Sequence, residues 1–382
     1  MIESGKSTPS LAVVRLRLTG FRSYGQLSLD PAPRPVALFG PNGAGKTNLL
    51  EAVSLLAPGR GLRSARPQEL ANREGSGSWA VAAALECGAE RYDVGTGLEL
   101  GESERRQVRI DGQAARGATA LAEFSAAVWL TPAMDRLLAE GPGARRKLLD
   151  RVAFGFDPGH AGRVTAYEKA LGERSRLLTE RGLKADAAWL SGLEDIMAAK
   201  GVAVAAARIE AMKRLETAMA KGPDCFPSPE LGLSGSAEEE LQRRPAIEVE
   251  DRLRAGLKAA RARDAETGGA GLGPHRSDLV VRHAAKRMPA AQCSTGEQKA
   301  LLVSLILGWA RALAEVRGFV PLVLLDEVAA HLDESRRAQL FEALDSLNAQ
   351  TWATGTDAHL FSAWASRAQL FRVEAGHVTL MN

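Results

Sequence analysis

The octapeptide Gly40-Pro41-Asn42-Gly43-Ala44-Gly45-Lys46-Thr47 fits the pattern G-x-x-x-x-G-K-[ST] and predicts a phosphate-binding loop, or P-loop. It follows the wholly apolar run Val36-Ala37-Leu38-Phe39, which suits a strand buried on both faces, and it precedes apolar residues at helical spacing. The N–H groups of such a loop and the positive end of the next helix converge on phosphate oxygens. We expect Lys46 to reach the β- and γ-phosphates of a nucleotide and Thr47 to bind Mg²⁺. The alternative, a chance glycine-rich turn, is disfavoured by these flanks.

The composition is that of a globular chain with no membrane partner. With 382 residues, 45% of them apolar, the chain can bury a sizeable core and hold two lobes. No run approaches the roughly 20 apolar residues of a membrane span. Residues 1–10 lack the apolar centre of a signal peptide, and we expect a disordered lead-in there. The cysteines form no C-x-x-C pair, which argues against a disulfide framework and favours the cytoplasm.

The order of the predicted elements indicates an α/β fold interrupted by a mainly helical insertion. Alternating runs and the hairpin signal Asp111-Gly112 predict strands in the N-terminal part, whereas residues 133–220 are rich in helix formers. No apolar heptad repeat persists through 140–220, so we expect no long coiled coil. An α/β pattern returns near the C-terminus. The predicted boundaries are 11–125 plus 290–382 for lobe I, a P-loop ATPase domain, and 126–289 for the helical lobe II.

A second motif supplies the acids that an ATPase needs. Val323-Leu324-Leu325-Asp326-Glu327 is an apolar strand that ends in two carboxylates, the form of a Walker B element. We expect Asp326 to hold Mg²⁺ and Glu327 to orient or deprotonate the attacking water, with Lys46 assisting catalysis. Two acids after a strand also occur as ordinary charges at a helix N-terminus. The presence of a P-loop favours the metal-binding interpretation.

The segment Ser294-Thr295-Gly296-Glu297-Gln298 opens an apolar helix and has two compatible interpretations. Ser294 and Glu297 have the spacing of a capping box, which satisfies free N–H groups at a helix start. A serine and a glycine at a helix N-terminus also form an anion site, which could close over the γ-phosphate of ATP bound to another subunit. Ala330-His331-Leu332-Asp333 follows the Walker B acids.

These motifs, in this order, resemble the ABC-type ATPase heads, and further segments are similar to the RecF family of bacterial DNA replication and repair proteins. Those segments are residues 16–24, 141–150 and 273–278. Ser277 stands where the family usually has a second acid, which leaves the role of that acid open here. Thr356 stands where transporter ATPases carry a switch histidine, which disfavours the alternative of a transporter subunit.

The resemblance implies an ATP-dependent homodimer with two ATP molecules, each between the P-loop of one subunit and the signature Ser294-Thr295-Gly296-Glu297-Gln298 of the other. It implies weak, DNA-stimulated ATP hydrolysis that acts as a switch and not as a motor. It implies binding to gapped DNA or single-strand/double-strand junctions in recombinational repair, and cooperation with RecO and RecR in loading RecA. It assigns His331 and Asp333 to the D-loop. It makes Arg63 a candidate ATP contact, with a surface turn as the alternative.

Two groups of basic residues are candidates for contact with DNA phosphates. One group has the spacing i, i+4 and i+7 of a single helix face, and a solvated basic face is the alternative. The other is a denser cluster that could contact DNA or couple the lobes. The first group is Arg254, Lys258 and Arg261, and the second is Arg145, Arg146, Lys147 and Arg151. Aromatic residues are only 5% of the chain, so backbone recognition is more plausible than base stacking.

Overall fold

The computed structural model describes residues 8–101, 105–222, 225–327, 332–364 and 366–381. The chain divides into two compact units. The first unit comprises Met1–Asp135, Lys221–Pro227 and Thr295–Asn382. The second unit comprises Arg136–Ala220 and Ser228–Ser294.

The elements within the described ranges are numbered in chain order. The strands are β1 (Leu11–Phe21), β2 (Tyr24–Leu29), β3 (Val36–Phe39), β4 (Trp79–Cys87), β5 (Glu90–Leu98), β6 (Gln107–Ile110), β7 (Gln113–Ala114), β8 (Ala127–Leu130), β9 (Pro229–Ser234), β10 (Asp278–His283), β11 (Met288–Pro289), β12 (Leu322–Leu325), β13 (Thr351–Gly355), β14 (Gln369–Glu374) and β15 (His377–Leu380). The α-helices are α1 (Lys46–Ser54), α2 (Pro142–Phe156), α3 (His160–Arg181), α4 (Ala187–Ala220), α5 (Ser236–Leu241), α6 (Ala246–Ala259), α7 (Arg261–Thr267), α8 (Thr295–Arg317) and α9 (Glu334–Ser346).

The division into units differs from the predicted lobe boundaries. Strand β8 belongs to the first unit because it pairs in parallel with β12, so that unit extends past residue 125. Residues 221–227 also return to the first unit, where Lys221 forms an ion pair with Glu315 of α8. The predicted lead-in was too long, because Ser10 forms a β-bridge with Val320. Residues 1–7 lie outside the described part of the chain.

An antiparallel sheet occupies the N-terminal part of the first unit. Its strand order is β2-β1-β4-β5-β6-β7, and the long β1 pairs with β2 on one side and β4 on the other. The predicted hairpin at Asp111-Gly112 is confirmed: both residues have positive φ, 49° and 80°, and they connect β6 to β7. The alternation in β1 places Leu16 and Leu18 in the core.

The P-loop strand and the acid-bearing strand share a mainly parallel sheet. The strand order is β15-β14-β3-β13-β12-β8, and all of these run parallel except β15. Strand β13 lies between β3 and β12, with Gly355 beside Phe39 and Ala353 beside Leu325. The carboxyl ends of parallel strands meet at one edge of a sheet. The residues that follow β3 and β12 are therefore brought together there.

The second unit is mainly helical, as predicted, but it also contains strands that the sequence analysis missed. Its core packs α3 and α4 with α6 around side chains such as Met197, Val202 and Leu257. Strands β9, β10 and β11 form a small antiparallel sheet in the order β11-β10-β9. The 34-residue α4 contributes to this compact core, and the described residues contain no long coiled coil. None of the helices in the described ranges is long and apolar enough to cross a membrane.

Candidate nucleotide-binding site

The loop between β3 and α1 requires glycine at both of its ends. Gly40 has φ 149°, and a Cβ atom there would lie 2.0 Å from the carbonyl oxygen of Val373 in β14. Gly45, which caps the N-terminus of α1, has φ 108° and approaches the Tyr24 hydroxyl, 2.6 Å from an added Cβ. Side chains avoid both this backbone conformation and these distances. The two glycines therefore let β14 and Tyr24 pack directly against the loop.

The middle of the P-loop faces solvent, and its end is buried. Pro41, Asn42 and Gly43 are exposed, whereas Ala44 is buried beside the start of α1. Helix α1 begins at Lys46, so the first N–H groups of this helix open on the loop. A helix N-terminus preceded by glycines at positive φ favours the binding of an anion. The exposed face is thus suited to phosphate.

Lys46 is buried and folded back onto its own loop. Its ammonium group donates hydrogen bonds to the carbonyl oxygens of Gly40 at 2.7 Å and Pro41 at 2.8 Å, and the residue is 3% exposed. Burial lowers the pKa of Lys46, and the negative charges of Glu327 and Asp326 partly oppose this shift. The P-loop lysine and the Walker B acids are therefore electrostatic neighbours, although they lie far apart in the sequence.

The hydroxyl of Thr47 meets the carboxylate of Asp326 directly. Thr47 Oγ1 donates to Asp326 Oδ1 at 2.8 Å. The same carboxylate oxygen accepts a second hydrogen bond, at 2.9 Å, from Thr354 Oγ1 at the carboxyl end of β13. The two residues predicted to bind Mg²⁺ are thus brought together at the sheet edge. No motif in the sequence indicates a role for Thr354.

Glu327 has a backbone conformation that residues other than glycine rarely adopt. Its φ is 54°, in the left-handed region, which costs about 1–2 kcal/mol for a residue with a Cβ. The Glu327 N–H donates to Thr354 Oγ1 at 2.8 Å, and the N–H of the preceding Asp326 donates to the Leu130 carbonyl of β8 at 2.9 Å. Such strain often accompanies functional residues when surrounding contacts hold it. Neighbouring strands hold this turn on both sides.

A buried carboxylate of the P-loop helix binds two arginines. Glu51 of α1 has a side chain only 2% exposed, and Arg22 binds it with two hydrogen bonds of 2.8 Å. Arg63 donates to Glu51 at 3.1 Å and to Asn48 at 3.0 Å, while 42% of its side chain stays exposed. The structure thus places Arg63 next to α1 and not in an isolated surface turn. An acid among the apolar residues of α1 was the available sequence signal for Glu51.

These arginines line a cleft next to the P-loop helix. The cleft has a volume of about 910 Å³, and Arg22, Ser23, Asn48 and Arg63 lie along it. Ser23 Oγ accepts a hydrogen bond of 2.9 Å from the Asn48 amide. The size and the polar lining of this cleft suit a nucleotide-sized ligand with hydrogen-bonding groups.

The protein supplies only part of a metal coordination sphere. Among the described residues, no cluster of three or more His, Cys, Asp or Glu side chains is arranged to hold a metal ion. Thr47 and Asp326 offer one hydroxyl and one carboxylate, both oxygen ligands of the kind that Mg²⁺ prefers. Mg²⁺ usually keeps several waters and binds substrate phosphates as well. The two residues therefore fit Mg²⁺ that arrives with a nucleotide.

The signature segment forms a helix start, as predicted. Ser294, Thr295 and Gly296 are exposed, and α8 begins at Thr295 with Glu297 in its first turn and the buried Gln298 behind it. The predicted D-loop residue Asp333 caps α9 by accepting a hydrogen bond of 2.8 Å from the Arg336 N–H. Arg336 also contacts the Gly296 carbonyl at 3.3 Å. His331 lies outside the described residues.

The basic cluster on α2 is largely occupied by contacts within the second unit. Arg145 forms a bidentate pair with Asp278 at 2.8 and 2.7 Å, and this hydrogen bonding raises the pKa of Arg145. Arg146 donates to the Ser277 carbonyl at 2.6 Å. Burial lowers the pKa of Arg151 to about 9. Of this cluster, only Lys147 has an exposed side chain.

The predicted basic face on a single helix is not present. Helix α6 ends at Ala259 and α7 begins at Arg261, so the i, i+7 relation from Arg254 to Arg261 crosses a helix break. The Arg261 guanidinium binds the buried Glu194, and its side chain is 13% exposed. Arg254 pairs with three acids, Asp195, Glu250 and Asp251. Arg254 nevertheless keeps 37% of its side chain exposed, and Lys258 is exposed as well.

Ser277, where the resemblance led us to expect an acid, takes part in a buried polar cluster. It is 1% exposed, and its hydroxyl donates to Glu238 Oε1 at 2.7 Å. Glu238 is itself 0% exposed and lies 3.8 Å from Arg208. A carboxylate therefore is present beside Ser277, supplied by α5.

The chain matches known proteins along almost its whole length. Residues 12–379 match the family model described as the RecF/RecN/SMC N terminal domain. The chain is 49% identical over 370 residues to the DNA replication and repair protein RecF of Mesorhizobium japonicum, with 96% of this chain and 97% of that protein covered. It is 46% identical over 374 residues to the protein of the same name from Brucella suis biovar 1, with 97% of this chain and 96% of that protein covered.

A solved structure has the same fold. It is the structure of the recombination mediator protein RecF-ATPrS in RecFOR pathway, and it matches with a TM-score of 0.85 at 22% identity over 98% of this chain and 100% of that chain. This match confirms the predicted α/β ATPase-head fold with its inserted helical unit. The identity to curated relatives over nearly the full length shows the family. The chain belongs to the RecF family of DNA replication and repair proteins.

Proposed function

We propose that this protein is an ATP-dependent DNA-binding ATPase of recombinational gap repair in the cytoplasm. The observation that carries the proposal is the 2.8 Å hydrogen bond between Thr47 of the P-loop helix and Asp326 after β12. It joins a phosphate-binding element and an acidic element that are encoded far apart. Family membership supports the DNA-repair role, and it leaves the alternative of a transporter subunit without a supporting observation.

The residues of the site divide the work of ATP hydrolysis. The loop from Gly40 to Gly45, which is exposed at its middle, binds phosphate oxygens through its N–H groups. Lys46 exchanges its two carbonyl partners for phosphate oxygens. Mg²⁺, when bound, neutralises charge on the transferred phosphoryl group. Thr47 and Asp326 hold that ion. Glu327 orients the attacking water and accepts its proton. Arg63 contacts ATP from the cleft beside α1.

Homodimerisation completes the site in this proposal. Ser294, Thr295 and Gly296 are exposed at the start of α8, which supports contact with the γ-phosphate of ATP bound to a second copy. Asp333 and His331 would lie in the D-loop of that interface. Closure on ATP and release after slow hydrolysis make the ATPase a switch for binding gapped DNA or strand junctions.

The partners are proposed from relatives. A structural neighbour is described as a recombination mediator in the RecFOR pathway. We infer cooperation with RecO and RecR, and through them the loading of RecA. Lys147 and Lys258 remain the exposed DNA-contact candidates, and the more occupied Arg145, Arg146, Arg254 and Arg261 are weaker ones.

The test compares the wild type with Lys46→Ala and Glu327→Gln. Size-exclusion chromatography and gel shifts on duplex, single-stranded and gapped DNA are run with and without ATP and Mg²⁺. We expect Lys46→Ala to lose nucleotide binding and dimerisation. We expect Glu327→Gln to bind ATP, to hydrolyse it about 100-fold more slowly, and to stay dimeric on gapped DNA.

Matched controls are exposed residues of the same type, Lys213→Ala in α4 and Glu342→Gln in α9. Both should behave like the wild type. If the Glu327→Gln protein stays monomeric with ATP, the proposed homodimer with ATP bound between its subunits is wrong. If the protein binds DNA equally well with and without nucleotide and on all three forms of DNA, the proposed ATP-dependent switch in repair is wrong. A fast turnover that moves along DNA would contradict the switch.

A further inference from the structure

Thr354 contacts both acids of the proposed ATPase site through one buried hydroxyl. The residue is 0% exposed and lies near the end of β13, the strand between β3 and β12. Its Oγ1 donates to Asp326 Oδ1 at 2.9 Å and accepts from the Glu327 N–H at 2.8 Å. A threonine hydroxyl has a single proton, so its donor capacity is committed to Asp326. Thr354 is therefore placed to control the carboxylate of one acid and the backbone of the other.

The position of Thr354 complements two other contacts on the same turn. From the opposite side, the Leu130 carbonyl of β8 accepts the Asp326 N–H at 2.9 Å. Thr47 also donates to Asp326, but Thr47 belongs to the proposed metal site and is shared with it. Thr354 thus supplies a hydrogen bond to Asp326 that does not depend on a residue of the P-loop.

We propose that Thr354 is a positioning residue for ATP hydrolysis, because its hydroxyl orients the Asp326 carboxylate and fixes the left-handed turn that presents Glu327. The proposal rests on the ATPase function proposed above. Removal of the hydroxyl leaves the Asp326 oxygen and the Glu327 N–H each with one partner fewer in a buried place. The lost orientation affects the water-activating step more than the binding of ATP, because the phosphates are bound by the P-loop.

The test uses Thr354→Val, which replaces the hydroxyl with a methyl group of similar size, and Thr354→Ser, which keeps the hydroxyl. For Thr354→Val we expect kcat to fall by about 10- to 100-fold. Affinity for a fluorescent ATP analogue should stay within about twofold, as expected when an interaction acts on the chemical step alone. Thr354→Ser should recover kcat to within about threefold of the wild type.

The matched control is Thr351→Val in the same strand. Thr351 is also 0% exposed, but its hydroxyl faces the Ala349 carbonyl at 3.5 Å and neither acid. The proposal is wrong if Thr354→Val keeps the wild-type kcat. It is also wrong if analogue affinity and melting temperature fall as much as kcat and serine gives no recovery, which is the behaviour of a structural residue.

Two further outcomes are distinguished from a failure of the proposal about Thr354. If Thr354→Val does not fold, Thr354→Ala against Thr354→Ser gives the same comparison of a removed and a retained hydroxyl. If wild type and Thr351→Val both fold but hydrolyse no ATP, the proposed ATPase function fails, whatever the Thr354 variants do.

Discussion

The geometry of the ion pair between Arg145 and Asp278 leads to a quantitative prediction about Arg145, one of the candidates for contact with DNA. Its side chains are 14% and 26% exposed, and two hydrogen bonds of 2.8 and 2.7 Å join the guanidinium to both carboxylate oxygens. Hydrogen bonds to charged groups contribute about 1.5–3 kcal/mol, and loss of one partner leaves the other charge partly buried. We expect Arg145→Ala to lower the free energy of unfolding by about 2–3 kcal/mol.

The assay is urea denaturation followed by circular dichroism, combined with gel shifts on gapped DNA under conditions where both proteins are folded. Asp278→Ala should cost a similar amount, and the double variant should show a coupling energy of about 1–2 kcal/mol. The control is Lys147→Ala, an exposed neighbour on α2, which should leave stability within about 0.5 kcal/mol. A variant Arg145→Ala with wild-type stability and weakened DNA binding would refute this argument, because the arginine would then act on DNA and not on Asp278.

Two further predictions concern buried groups. Tyr24 is 1% exposed, and its hydroxyl has no hydrogen-bond partner within the described residues. Tyr24→Phe should therefore raise the free energy of unfolding by about 1 kcal/mol in urea denaturation. A lower free energy of unfolding would show that the hydroxyl has an unrecognised partner. Burial lowers the pKa of His275, whose ring contacts the Tyr167 hydroxyl and the Ala270 carbonyl. Because the unfolded state binds the proton first, stability should fall as the pH drops below about 6.5. His275→Gln should flatten that slope between pH 7.5 and 5.5, and an unchanged slope would assign it to other groups.

The parts of the fold that the sequence predicted well are those encoded over a few residues. The P-loop strand Val36–Phe39 and the acid-bearing strand Leu322–Leu325 are continuous apolar runs, and both lie in the buried parallel sheet. The turn at Asp111-Gly112 needs only two residues with positive φ. In each case the residues of the pattern are themselves enough to favour the observed structure. The encounter of Thr47 with Asp326 could be inferred because ATP chemistry requires both.

The features that the sequence did not reveal depend on distant partners. Strand β9 contains Pro229 and Gly232 and lacks a clear alternation, and it forms because β10 pairs with it. The spacing of Arg254 and Arg261 suggested one helix face, since no glycine or proline marks the break between α6 and α7. Thr354 is a residue of ordinary appearance in a strand. Only the packing of β13 beside β12 shows what its hydroxyl contacts.

The strand order β15-β14-β3-β13-β12-β8 has a consequence for biosynthesis. The earliest strands of this sheet to leave the ribosome, β3 and β8, are not neighbours, and every strand that pairs with them follows α8 in the chain. At about 5–20 residues per second, translation of the intervening chain takes on the order of ten seconds or more. During that interval the nascent chain carries apolar strands with unpaired edges, while the residues of the second unit are already available to fold. The nucleotide site is consequently among the last parts of the protein to form.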